Sequence, residues 1–174
     1  MEKLHKNIFE VLSISRGENI WRLRVTSDSM LPSIKPGDYI NFIKKTAEAI
    51  SIGDILVIKR NDEFVTHRLI AIDNQGWITK GDRFPQSDAR IKKEDILGCV
   101  VSLERRSKII NLQTIRWKIT NRILAGISRF ETTLYNSLIN LRGKLFKNID
   151  SKMLSNLVDW FTFPFRLVMR VLTL

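Results

Sequence analysis

Between Ile20 and Leu103 the chain is cut by turns into short apolar segments, and beyond Ile109 the apolar spacing changes from two residues to three and four. A chain that switches period in this way folds as strands first and helix afterwards. Ile20 to Thr26 alternates as a half-buried strand. Pro36-Gly37-Asp38 turns the chain into a second strand at Tyr39 to Ile43, and Gly53-Asp54 opens a third at Ile55 to Ile58. Asn61-Asp62 marks a hairpin turn before Phe64 to Ile72, Asp73-Asn74-Gln75-Gly76 another before Trp77 to Lys80, and Ile96 to Leu103 is the last apolar run of this part. The pattern predicts a mainly β domain over residues 1–103. Residues 104–174 are then a basic helical extension: Ile115, Ile119, Ile123, Ile127 and Phe130 recur at helical spacing among Arg116, Lys118, Arg122 and Arg129, and Leu134, Leu138 and Leu141 continue the stripe. A second helix is expected from Ser151, capped by that serine or by Asp150.

The formal net charge of +11 is unevenly placed: residues 1–102 hold 16 Lys and Arg against 14 Asp and Glu, whereas residues 103–174 hold 13 against 4. Three roles are open for the basic part, residues 109–174. It binds an anionic membrane surface with Trp160, Phe161, Phe163 and Phe165 inserted, it binds a partner protein, or it caps an apolar edge of the β domain. Its cations are spread along mixed apolar helices without a groove-docking motif, so nucleic acid is not an expected partner. Met1 to Arg16, which includes His5, is charged throughout and resembles neither a signal peptide nor a spanning helix, which points to a cytoplasmic protein, peripheral to the inner face of the membrane if bound there. Leu157 to Leu174 has the length of a span, yet Asp159, Arg166 and Arg170 interrupt it and Pro164 breaks it. Each such charge at mid-bilayer costs roughly 2.5–3.5 kcal/mol. The single cysteine, Cys99, excludes an internal disulfide and any multi-cysteine zinc site, and its apolar surroundings predict a buried packing residue. No metal and no cofactor are expected.

Chemistry concentrates at Ser27-Asp28-Ser29-Met30-Leu31-Pro32, at the end of the first strand, and at Thr66-His67-Arg68. A serine hydroxyl is a poor nucleophile at neutral pH and requires a positioned base, and a strand-borne histidine is the candidate closest to working pH. Ser27-x-Ser29-Met30-x-Pro32 followed by Pro36-Gly37-Asp38 resembles the nucleophile box of type I signal peptidases and of the related self-cleaving repressors, serine peptidases of the S24/S26 superfamily. Gly53-Asp54-Ile55, Thr66-His67-Arg68, and Thr79-Lys80-Gly81-Asp82 with Ser87-Asp88-Ala89-Arg90 resemble the later boxes in the same order, so that the resemblance spans about residues 20 to 102. Bacterial signal peptidases and the repressors place a lysine base where this chain has His67, whereas archaeal and endoplasmic-reticulum signal peptidases place a histidine; the chain resembles the histidine branch.

The resemblance implies Ser29 as nucleophile, His67 as general base, the Ser29 backbone N–H and the Ser27 hydroxyl as oxyanion donors, and a carboxylate that orients His67. Asp88 and Asp82 both match that last role, Asp88 ahead of Asp82. Met30 and Pro32 are expected to line the substrate cleft. The expected activity is hydrolysis of a leader or signal-type peptide after small residues. The alternatives are a catalytically silent module of the same fold that grips an extended peptide by strand addition, and a signal peptidase anchored through its C-terminal segment. Only 26 residues precede Ser27, none of them suited to a spanning helix and too few for a helix-turn-helix, so a soluble or tail-attached peptidase is expected and damage-response regulation is not.

Overall fold

The computed structural model describes residues 12–13, 20–60, 63–145 and 167. The chain forms β1 (Leu12–Ser13), β2 (Ile20–Arg24), β3 (Tyr39–Ile43), β4 (Ile55–Arg60), β5 (Glu63–Asp73), β6 (Gly76–Lys80), β7 (Ile96–Arg105), β8 (Lys108–Asn111) and α1 (Ile115–Leu145). The eight strands build one sheet in the order β1-β2-β3-β7-β4-β5-β6, with β8 on β7, and every pairing is antiparallel. The expected class, mainly β with a C-terminal helix, is the one observed. The expected boundary after residue 103 is not a break in the sheet: β7 runs on to Arg105 and pairs with β8, so the β part extends to Asn111. The turn at Asn61-Asp62, His5, the helix from Ser151 and the aromatic group Trp160, Phe161, Phe163 and Phe165 lie outside the described residues.

The sheet is buried on both faces at its centre. In β4 the four residues Ile55 to Ile58 are all buried, and because side chains alternate, Ile55 and Val57 join a cluster with Leu23, Ile34, Ile40 and Val100, while Leu56 and Ile58 join one with Leu69, Trp77, Ile91 and Cys99. Each such aliphatic side chain, fully buried, contributes about 1.5–3 kcal/mol. Cys99 is fully buried. Burial first, and then nearby Asp54, push its thiol up to about 12, so it remains a protonated packing group at neutral pH.

The helix begins where Thr114 caps it: Thr114 Oγ1 accepts the Trp117 amide at 3.4 Å, and the Thr114 carbonyl accepts the Lys118 amide at 2.9 Å. Its predicted apolar stripe is one face of the helix, but not the face that packs on the sheet. Ile115, Ile119 and Ile123 are 78%, 57% and 47% exposed, while Asn121, Leu124, Ala125, Ser128, Glu131 and Thr132 are buried. The reason lies in the sheet beneath. Arg68 and Lys80 are cross-strand partners on β5 and β6, and both are fully buried. Two buried cations side by side require carboxylates. Arg68 receives Asp82, with Nε to Oδ1 at 2.9 Å and Nη2 to Oδ2 at 2.7 Å, and Lys80 Nζ receives Glu131 Oε2 of α1 at 2.7 Å. Arg68 Nη1 also donates to Asn121 Oδ1 of α1 at 2.9 Å and to the Gly53 carbonyl at 3.1 Å. Gly53 has φ +102°, and a Cβ there would lie 2.8 Å from the Asn121 backbone, so only glycine lets the helix come this close.

Candidate active site

The segment that carries Ser29 leaves β2 and returns at β3 as a closed loop. The Val25 amide donates to the Asp38 carbonyl and the Gly37 amide to the Val25 carbonyl, both at 2.8 Å. Asp38 then pins the base of the loop, its Oδ2 accepting from the Lys35 amide at 2.8 Å and from Arg105 Nη2 of β7 at 2.7 Å. Inside the loop the Leu31 amide donates to the Asp28 carbonyl at 3.0 Å and the Ile34 amide to the Met30 carbonyl at 3.0 Å, a compact turn that presents Ser29 partly to solvent.

Strand alternation decides which residues meet that turn. On β5, His67 and Arg68 point to opposite faces. His67 Nε2 lies 3.2 Å from Ser29 Oγ, and its Nδ1 lies 2.5 Å from Asp88 Oδ2, whereas Arg68 points toward α1 and takes Asp82. Asp88 arrives because the segment after β6 folds back along the strand: its amide donates to the Thr79 carbonyl at 2.8 Å, and Thr79 Oγ1 donates to Asp88 Oδ2 at 2.8 Å. Arg60 Nη1 stands 3.5 Å from the other oxygen, Oδ1. Burial pushes the Asp88 carboxyl up, but the His67 hydrogen bond and charge, the Thr79 hydroxyl and Arg60 together outweigh it and hold the group below the usual carboxylate range. The carboxylate is therefore ionised at neutral pH and fixes the tautomer with the proton on Nδ1. That leaves Nε2 as an acceptor facing the Ser29 hydroxyl.

Gly81 brings the two halves together. A Cβ at this position would stand 2.7 Å from the Ser29 carbonyl oxygen and 3.1 Å from His67 Nε2. The Arg83 amide donates to the same Ser29 carbonyl at 2.9 Å, and the Arg83 guanidinium pairs with Asp28. Beyond it, Thr132 Oγ1 of α1 donates to the Pro85 carbonyl at 3.0 Å and Gln86 Nε2 donates to the Tyr135 hydroxyl at 2.6 Å, so the helix holds the segment that carries Asp88.

Of the residues expected at the site, Ser29, His67 and Asp88 come together. Ser27 Oγ lies 3.4 Å from Ser29 Oγ. Asp82, expected as an alternative partner of His67, is instead fully committed to Arg68; burial raises its pKa, and the Arg68 charge and hydrogen bonds, with Ser33 and Lys80, bring it below the ordinary value. Met30 lines the cleft of about 270 Å³ at Ser29 and His67 but is 2% exposed and packs in the core, so it forms the floor. Pro32, expected beside it, is not among the residues that line this cleft, because the turn carries it past Met30 and Leu31. Sequence reasoning quoted Thr79 and Gly81 within a box but gave them no role, and it missed Arg60 and Asn121; Thr79 and Arg60 matter to Asp88, Gly81 to the approach of Ser29 and His67, and Asn121 to Arg68. Thr79 and Arg60 sit on strands at positions that only the register brings to Asp88. A second, apolar groove of about 590 Å³ adjoins the cleft, sharing Leu23 and Phe64 with it and lined further by Trp21, Phe42 and Leu97.

Neither curated proteins nor solved structures give a match to this chain. The family model described as Peptidase S24-like matches residues 2–101. That span covers more than half of the chain and holds the Ser29 turn, the His67 strand and the Asp88 segment, and the protein belongs to the S24-like peptidase family.

Proposed function

We propose that the protein is a serine endopeptidase of the histidine-base branch that cleaves a leader or signal-type peptide after small residues. The observation that carries this reading is the continuous chain of contacts from Asp88 through His67 to Ser29, 2.5 and 3.2 Å long. Ser29 Oγ attacks the scissile carbonyl carbon while its proton passes to His67 Nε2, and Asp88 balances the imidazolium that forms. The carbonyl oxygen, now an oxyanion, accepts from the Ser29 backbone N–H and the Ser27 hydroxyl. When the tetrahedral species collapses, the C–N bond breaks and His67 returns the proton to the leaving amine. A water molecule then attacks the acyl-serine with the same base and frees Ser29. The apolar groove beside the cleft supports a substrate whose cleavage site is flanked by an apolar segment.

The test is digestion of a leader-peptide library by the full chain and by its Ser29→Ala and His67→Ala variants, read by mass spectrometry. Cleavage after small residues that is lost in both variants is the expected result. Peptide binding without cleavage, unchanged in both variants, overturns the reading in favour of a strand-adding binding module.

A further inference from the structure

We propose that the outward face of α1 is a docking surface for an anionic lipid bilayer, with Ile115, Ile119 and Ile123 entering the headgroup layer and Lys45, Lys118 and Arg122 meeting lipid phosphates. The three isoleucines follow one another at four-residue spacing and so form one row along the helix. Their exposure, 78%, 57% and 47%, is a consequence of the buried cations of the sheet, because the opposite face of α1 is occupied by Asn121, Ser128 and Glu131. The helix thus turns its apolar row outward while remaining bolted to the sheet, and the row is presented rigidly.

The charge beside the row selects the occupant. Over residues 115–140 the cations are Arg116, Lys118, Arg122 and Arg129, all exposed, and the single carboxylate, Glu131, is buried against Lys80. The outward face therefore carries no carboxylate over these residues, and its cations flank the apolar row, as in a helix lying in the interface of an anionic leaflet. A cleft of about 310 Å³ opens beside Ile119 and Ile123, where Lys45, in the loop after β3, joins Lys118 and Arg122. Its one carboxylate, Asp54, lies 3.7 Å from Lys45 Nζ, leaving an excess of positive charge for phosphate. An acidic protein partner would satisfy the cations but not the apolar row between them. Among the described residues no helix is long and apolar enough to cross a membrane, so the contact is one of lying on the surface.

The experiment is flotation of the full chain with vesicles of phosphatidylcholine alone or mixed with phosphatidylglycerol, at low and high salt. The comparison is with Ile119→Ser/Ile123→Ser and Lys118→Glu/Arg122→Glu. All four positions are exposed, and circular dichroism with thermal unfolding checks that each variant is folded. The expected result is binding to the phosphatidylglycerol vesicles alone, weakened by salt, and reduced at least about ten-fold by the charge reversal and lost with the serines. Equal binding to both vesicle types, no binding, or variants that float like the wild type would overturn the proposal; the last outcome places lipid binding elsewhere in the chain. No cleavage is measured, so failure here leaves the peptidase reading untouched, and the reverse.

Discussion

Asp88 Oδ2 serves two donors, His67 Nδ1 at 2.5 Å and Thr79 Oγ1 at 2.8 Å, so a change at this carboxylate acts on the imidazole directly. Replacing Asp88 with Asn offers the imidazole a donor as readily as an acceptor and favours the wrong tautomer; kcat is expected to fall about 10⁴-fold with the fold intact. Asp82→Asn, by contrast, is expected to leave kcat per folded molecule near wild type and to lower stability by about 3–5 kcal/mol, because Arg68 is left buried and unpaired. Kinetics and urea midpoints on the two variants separate the roles, and a similar loss of kcat in both would contradict the assignment. Ser27→Ala removes one oxyanion donor and is expected to lower kcat about 10²-fold with KM little changed. The meeting of Ser29 and His67 was legible in the sequence because each sits in a short, chemically distinctive box. The choice between two aspartates on one segment was legible only as a ranking, Asp88 ahead of Asp82. It depends on the alternation that sends His67 and Arg68 to opposite faces and on the return of the chain along Thr79.

Strand positions were legible for the same reason that the aspartate was legible only as a ranking: alternation and turn residues are local, whereas register is not. The short β8, Lys-Ile-Ile-Asn, carries too few residues to show a period, and it was absorbed into the approach to the helix. The helix itself was legible, but its orientation was not, because the apolar row faces outward and the buried face is chosen by Arg68 and Lys80 on strands about fifty residues earlier. This makes α1 part of the folded domain rather than an appendage. Glu131→Gln is expected to cost about 3–5 kcal/mol by removing the one carboxylate hydrogen-bonded to buried Lys80 among the described residues, whereas the double variant Lys80→Met/Glu131→Leu is expected to be close to wild type in stability. Denaturant unfolding decides; a single variant as stable as wild type would show that the helix is not held by this pair. Gly53→Ala places a methyl group 2.8 Å from the Asn121 backbone at a positive φ and is expected to destabilise by more than about 1 kcal/mol.

Acid is expected to open the molecule at both joints together. Asp82 and Asp88 have folded-state pKa values below the ordinary 3.8, so the stability they contribute is fully present above that value and is lost as pH falls through the folded values. Thermal unfolding is therefore expected to be nearly flat from neutral pH to about pH 5 and to fall steeply below about pH 4; a melting temperature that holds steady to about pH 3 would contradict the buried pairing. The helix, the Arg68 and Lys80 network and the Asp88 segment form one connected structure, so the Ser29, His67 and Asp88 cluster and the outward row of isoleucines are fixed relative to each other. The most direct test of the whole is labelling of the full chain with a fluorophosphonate serine probe, followed by mapping of the adduct. Modification of Ser29, abolished in His67→Ala and strongly slowed in Asp88→Asn, is the result predicted by the Asp88–His67–Ser29 chain. No adduct on the folded wild type, or an adduct on Ser29 formed at the same rate in all three proteins, would contradict it.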